Sequence, residues 1–228
     1  MARGRPPART REQVVDAAVA VADAEGLGAV TIRRVAAEVG AGAMSLYTYV
    51  PDKDRLVDLM LDRVGGTAGY PPLTGDWRTD LLGLMSAQRE LMRRHPWIPA
   101  ALPNRQLTGV NTLAYLEHGL AALAPTPLSG AAKMETIALL TGFVASYVTS
   151  ELAADPTGEQ LADRVRELRE AVATGGFPHL GAVLAELGGG GDQGGGLGEP
   201  APQAPEAGAD FERIATRMIN GLVSAGGS

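Results

Sequence analysis

The sequence predicts an all-α protein, a small N-terminal helix-turn-helix head joined to a larger helical body, and three observations carry that expectation. Apolar residues recur at i, i+3, i+4 and i+7 through the segments between Gly and Pro breaks. The stretch 31–55, TIRRVAAEVGAGAMSLYTYVPDKDR, reads as two short helices around a glycine-bearing turn, followed by a capped third. The segments from Ser129 to Leu152 and from Asp210 to Ser224 have helical length and are apolar on more than one face, as buried helices are.

Composition narrows the class. The 228 residues include no cysteine, 45% hydrophobic and only 4% aromatic side chains, enough apolar mass for one helical domain plus a small one, with no part for disulfides. No run of about 18 apolar residues occurs. The N-terminal arginines have no apolar stretch behind them, so neither a membrane span nor a signal peptide is expected and the cytoplasm is the expected compartment. The net charge is −6, yet residues 1–64 hold 9 basic and 9 acidic side chains, so the whole deficit lies downstream. Arg3, Arg5, Arg9 and Arg11 stand without an acid in the first 11 residues, and residues 1–9 read as a flexible basic arm of the kind a phosphate backbone or minor groove attracts.

The head is expected over 10–64. Thr10 and Gln13 form a capping box that opens a helix with Val14, Val15, Ala18, Val19 and Ala22 on one stripe, ended by Gly26. Thr31 caps the next helix, Val30 and Val35 form a staple, and Ile32, Val35, Ala36 and Val39 share its buried face. Gly40 sits where a left-handed cap belongs, and Ala41, Gly42 and Ala43 allow a close, steep approach of two helices. From Met44 a second helix puts Leu46 and Val50 on the core; Ser45, Thr48 and Tyr49 point elsewhere, and Tyr47 fits either side. Pro51 stops it. Asp52 caps a third helix bearing Leu56, Leu59, Met60 and Val64. Tyrosines on such a helix suit a DNA groove, where hydroxyls reach phosphates and rings meet sugars and thymine methyls. Amphipathic packing explains isolated rings equally well. Arg33, Arg34, Lys53 and the arginine arm favour the groove.

At these residues, Thr31 to Gly40, Ala43 to Val50 and Lys53 to Leu56, the chain resembles the TetR family of bacterial one-component transcriptional repressors, over residues 10–65. The resemblance implies that the second helix of the motif lies in the major groove of double-stranded operator DNA. It further implies that Arg33 reaches a base edge, that Ser45, Tyr47 and Tyr49 contact DNA from the recognition helix, and that Lys53 clamps a phosphate. Thr31, Ala43 and Thr48 complete the candidate set, Thr48 in a slot that is often large and aromatic.

The body is expected over 65–228. Residues 65–75, GGTAGYPPLTG, read as a linker, and Asp76 caps a helix with Leu81, Leu84, Met85, Gln88, Leu91, Met92 and His95 on one stripe. Gln88 interrupts that stripe and needs a hydrogen bond from protein, water or ligand. His95 beside Pro96 reads as a helix C-terminal cap. From about Thr108 to Leu123 a helix places Leu113, Leu116, Leu120 and Leu123 on one side, with Asn111, Tyr115 and His118 beside them. Ser129 caps the long helix that follows; Thr157 and Gln160 open a polar one, and 188–209, with 9 glycines and 3 prolines in 22 positions, reads as a disordered loop.

The fragments DWRTDLLGLMSAQRELMRRHPW, TGGFPHL and DFERIATRMINGL resemble the regulatory domain of the tetracycline-repressor-like branch, which implies a ligand pocket and a two-fold partner. Helix faces and that layout give Met60, Gln88, Met92, Asn104, Asn111, Tyr115, Met134 and Ile137 as candidate ligand contacts. Gly142, Ser146, Ile219 and Val223 are the candidates for a homodimer interface. The histidines expected of a tetracycline and magnesium site are not evident among His95, His118 and His179. No HExxH, GxSxG, P-loop or strand-borne GxGxxG occurs, so no enzyme, metal or cofactor is expected. The expected function is a homodimeric repressor released from a near-palindromic operator by a small, mostly hydrophobic effector. A dimeric DNA-binding regulator without an effector is the alternative, and a helical enzyme or carrier with a degenerate head is the third reading.

Overall fold

The computed structural model describes residues 10–103, 105, 108–153, 158–188 and 207–225, and every regular element among them is helical. The basic arm, the Thr157 cap, Asn104 and most of the 188–209 loop lie outside the described residues. Two compact units form, Met1–Leu152 with Ala207–Ser228, and Ala153–Glu206.

Local chemistry sets the head. α1 (Arg11–Glu25) starts on the reciprocal Thr10–Gln13 capping box, 3.1 and 3.2 Å, and ends at Gly26 with φ 83°. It buries Val14, Val15, Ala18, Val21 and Ala22, whereas Val19 is only partly buried. A single 3₁₀ turn, Leu27–Ala29, leads to Thr31, whose hydroxyl accepts from Arg34 N at 3.1 Å and opens α2 (Ile32–Glu38). Gly40 takes φ 63°, and α3 (Ala43–Leu46) follows. α3 is shorter than expected. Residues 47–49 form turns that bring Tyr49 N and Val50 N both onto Leu46 O, at 2.9 Å each, because Pro51 cannot continue the ladder. Leu46 and Val50 are buried, and Asp52 then caps α4 (Lys53–Gly65), accepting from Arg55 N at 2.7 Å.

α4 packs on α1 and also reaches α6 and α7 of the body. The body comprises α5 (Trp77–Arg94), α6 (Ile98–Ala101), α7 (Val110–Ala122), α8 (Gly130–Leu152) and α11 (Ala207–Ala225). α5 is central, in contact with α7, α8 and α11, and buries Leu81, Leu84, Met85, Gln88, Leu91 and Met92 as its spacing predicts. Segment 65–75 is less of a free linker than its composition suggests. Asp80, only 5% exposed, accepts from Thr74 N and Thr74 Oγ1 at 2.7 Å and from Gly75 N at 3.1 Å, tying that segment to α5.

Two faces differ from the sequence pattern. On α7, Leu113 is 55% exposed, while Asn111, Tyr115 and His118 turn partly inward with buried Gly119 and Ala122. On α11, Ile219 and Val223 are buried inside the protomer and are not available to a second subunit. Ile214, Met218 and Leu222 stay half-buried there instead. α11 also begins three residues before Asp210, which sits in its first turn, where a carboxylate favours the helix dipole. In the second unit, α9 (Gly158–Ala173) packs on α10 (Pro178–Gly188) around Gly175 and Gly176, both at positive φ.

The N-terminus of α7 has an unusual cap. Gly109 offers no side chain, and Asp62 of α4 accepts from Asn111 N and Thr112 N at 3.0 Å each, while Asn111 Nδ2 donates back to Asp62 O at 2.9 Å. A Cβ at Gly109 would overlap the Asp62 carboxylate. Asp62→Ala is expected to lower stability by about 1–2 kcal/mol, read as a lower urea midpoint at unchanged slope.

Asp80 gives a pH dependence. Burial pushes its carboxyl up, but the hydrogen bonds from Thr74 and Gly75 outweigh burial and hold it below the ordinary value. A depressed folded value means a stabilisation present above the unfolded carboxylate range, about 3.9, and lost as pH falls through the folded value. The stability gap between wild type and Asp80→Asn is therefore expected to be widest near neutrality and to close with acidification, in urea unfolding from pH 7 downward.

Candidate DNA-binding surface and ligand cavity

The turn after Gly40 and the short α3 present their outer side to solvent. Met44 is 81% and Tyr47 50% exposed, and Ser45 and Thr48 are exposed beside them, whereas Tyr49 and Ala43 are half-buried against the core. Ser45 Oγ donates to Gly42 O at 2.6 Å, so its proton is committed and its oxygen remains as an acceptor. Lys53 Nζ makes one long contact, 3.5 Å to Leu27 O, which leaves an exposed ammonium at the start of α4.

The two arginines of α2 differ. Arg34 is held by Glu25 at 2.6 Å and Glu38 at 2.7 Å, so its charge is matched within the head. Arg33 is exposed and has no ion pair among the described residues. Thr31 is exposed as a residue, with its hydroxyl oxygen accepting at the cap of α2. Met44 is the exposed residue that the pattern missed. Its position just after the small-residue turn was the available signal, since a thioether there meets solvent unless it meets a thymine methyl.

Inside the body lies a cavity of about 160 Å³ walled by α4, α5, α6, α7 and α8. Gln88, Met92, Asn111 and Tyr115 line it. A more open cleft of about 500 Å³ abuts it, with Met134, Ile137 and Gly142 on its wall. Leu102, Thr112, Tyr115, Leu116 and Thr141 belong to both. Met60 lines neither; it is fully buried in the core, and its neighbour Leu61 takes the cavity position, one residue round the helix. Tyr70 was hidden within an apparent linker. Its ring lies 5.7 Å from Tyr115 and 5.4 Å from His118, and an aromatic inside a Gly/Pro-rich stretch was the signal for it.

No described residue lining the smaller cavity is charged. Burial pushes the phenols of Tyr70 and Tyr115 above their ordinary value, so both stay neutral hydroxyls. Tyr115 and Thr141 hydrogen-bond at 2.7 Å, and Thr141 Oγ1 donates to Ile137 O at 2.8 Å. This pair stands between cavity and cleft.

Three polar ties join these walls to the head. Asp62 of α4 caps α7, as above. Arg105 donates to Asp58 Oδ1 at 2.7 Å and Asp54 Oδ1 at 3.0 Å on α4, and to Ala101 O at 2.9 Å on α6, and it also lines the outer cleft. Asp23 of α1 accepts from Trp97 Nε1 at 2.7 Å and meets His95 Nδ1 at 2.8 Å. His95, expected as a plain helix cap, is thus half of a clasp between α1 and the end of α5.

A helix-turn-helix head sharing α4 with a cavity-bearing helical body defines the class of helix-turn-helix regulators with a second helical domain. Residues 14–60 match the family model "Bacterial regulatory proteins, tetR family", and residues 71–191 match "Tetracyclin repressor-like, C-terminal domain". The chain is similar to the HTH-type transcriptional repressor DrrR1 of Streptomyces coeruleorubidus, 38% identical over 195 residues, 81% of this chain and 71% of the relative. It is 34% identical over 180 residues to an HTH-type transcriptional regulator of Saccharopolyspora erythraea, 75% of this chain and 76% of the relative. Its fold matches that of ActR from Streptomyces coelicolor in complex with actinorhodin, with TM-score 0.76 at 24% identity over 97% of this chain and all of that one (100%). The chain belongs to the TetR family of transcriptional regulators. Among the described residues no helix is long and apolar enough to cross a membrane.

The Tyr115–Thr141 bond is directly testable. Tyr115→Phe and Thr141→Val are each expected to lower stability by about 1 kcal/mol, with a coupling of similar size in the double-mutant cycle, measured by denaturant unfolding of the four proteins.

Proposed function

We propose that this regulator is a ligand-responsive repressor that binds a near-palindromic operator as a homodimer and is released by a small, mostly hydrophobic effector. The observation that carries the reading is that the cavity wall includes Leu61, Val64 and Gly65 of α4, the helix that also supports the DNA-reading turn. A ligand that fits only one placement of α4 shifts the population toward that placement and the head with it. The related fold of ActR, solved with actinorhodin, supports an effector in the body.

Met44, Tyr47 and Thr48 are the exposed side chains for groove contact, Ser45 contributes its oxygen, and Arg33 and Lys53 supply the positive charge. Thr31 and Ala43 support the turn at its edges, and Tyr49 combines packing with a reachable hydroxyl. The α8 face that leaves Leu139 46% exposed beside exposed Gly142 and Ser146 is available for a second copy, with Met218 and Leu222 of α11. The site of action in this reading is the cytoplasm, where the operator is.

Binding to the DNA upstream of the protein's own gene is the test, followed across a salt series with and without a panel of hydrophobic compounds. Tyr47→Ala is expected to weaken operator binding roughly tenfold, and Lys53→Ala to weaken it with a salt slope lower by about one, both without loss of the dimer. Unchanged affinity in both variants would remove α3 from the DNA interface. Tight binding that no compound releases would favour the effector-free dimeric regulator.

A further inference from the structure

Arg105 is the one charged side chain on the wall of the outer cleft among the described residues, and it is 18% exposed. A guanidinium has five N–H donors, and four of them have acceptors here. Nε donates to Ala101 O at 2.9 Å, Nη1 to Asp54 O at 3.0 Å and to Asp58 Oδ1 at 2.7 Å, and Nη2 to Asp54 Oδ1 at 3.0 Å. The second Nη2 N–H has no acceptor among the described residues.

The hydroxyls on the same wall have their protons engaged. Thr141 Oγ1 donates to Ile137 O at 2.8 Å, and Thr112 Oγ1 to Asp62 Oδ1 at 3.3 Å. Thr141 has no further proton, so Tyr115 donates across their 2.7 Å contact. Leu102, Leu116, Met134 and Ile137 make much of the remaining wall apolar. The cleft, at about 500 Å³, is of small-molecule size and offers one uncommitted side-chain donor among the described residues, which belongs to a cation.

Charge decides which acceptor suits that donor. Asp54 and Asp58 already set two carboxylates against one guanidinium. Asp62, one turn further along α4, accepts from amides and a hydroxyl and has no cation paired with it among the described residues. An anion would meet this negative excess and lose its hydration against apolar walls. A carbonyl oxygen accepts the same N–H in a charge-assisted bond with neither cost.

We propose that the outer cleft binds an uncharged, carbonyl-bearing part of the effector, whose C=O accepts from Arg105 Nη2. The inference rests on the ligand-responsive reading above and names the chemical class of the effector. Nη2 also holds Asp54 in the first turn of α4, beside Lys53, so the ligand bond acts on the contact that fixes the start of that helix.

The test uses 5-fluoro-1-indanone and 5-fluoroindane, one frame with and without the carbonyl, and 5-fluoroindane-1-carboxylate as the charged counterpart. Each is titrated into the full-length protein near neutral pH and followed by fluorine NMR. Wild type is expected to bind the ketone about fivefold more tightly than the indane, or better, and the carboxylate more weakly than the ketone. Arg105→Met and Arg105→Leu, checked for folding by circular dichroism, are expected to lose the ketone preference. Asp54→Asn, at a side chain 88% exposed, is expected to keep that preference and to bind the carboxylate about threefold more tightly than wild type does. Equal affinities for ketone and indane in wild type, or a preference surviving in both Arg105 variants, would overturn the inference. So would tighter binding of the carboxylate than of the ketone, a carboxylate affinity unchanged by Asp54→Asn, or binding of no probe. The effector reading fails separately, by an operator complex that no compound releases.

Discussion

The N-terminus of α7 has no side-chain cap of its own, because Gly109 stands where Ser, Thr or Asp would serve, and the carboxylate of Asp62 on α4 fills that role from another helix. Four orphan amides open every helix, and two of those of α7 are satisfied only while α4 holds this distance. The next residues, Asn111 and Thr112, line the cavity, so the cap joins the cavity wall to the rod beneath the helix-turn-helix. Gly109 is part of the same constraint, since any Cβ there would displace the carboxylate.

The other ties work in parallel. Arg105 bonds α4 and α6 together through two carboxylates and two carbonyls, and Asp23 clasps α1 to Trp97 and His95. All three are directional hydrogen bonds, and directional bonds break or hold where apolar packing slides. Cavity filling therefore has discrete contacts to act on. Coupling energies between ligand and DNA sites are commonly about 1–3 kcal/mol, comparable to losing one or two charge-assisted hydrogen bonds. No remodelling of the core is needed to supply that.

Features decided within one turn of chain were legible in the sequence. Thr10, Thr31, Asp52, Asp76 and Ser129 accept from the backbone where their spacing predicts, and Gly40 adopts positive φ. Features decided by a partner helix were not. α11 has apolar residues on two faces, and burial of Ile219 and Val223 against the protomer, rather than Ile214 and Met218, depends on α5 and α8. Met60 and Leu61 are both apolar neighbours on α4, and only the position of α7 makes Leu61 the cavity residue. Tyr70 had no periodic pattern around it, because it is held by rings of α7 and not by its own segment.

The surfaces of α4 join head to body. Arg63 meets Asp16 of α1 at 2.8 Å, and Leu56 and Met60 lie on that same side by helical spacing. Leu61 and Val64 face the cavity, and Asp58 and Asp62 meet Arg105 and the start of α7. One helix of 13 residues thus carries a head face, a cavity face and a coupling face within about 20 Å of rise. A three-helix head this small buries too little apolar surface to be secure alone, so it borrows α4 from the body. In the proposed mechanism the same borrowing couples the head to the cavity: Leu56, Val57 and Met60 are fully buried in the core, and a close-packed core leaves no slack to absorb a displaced cavity wall, so α4 shifts as a unit.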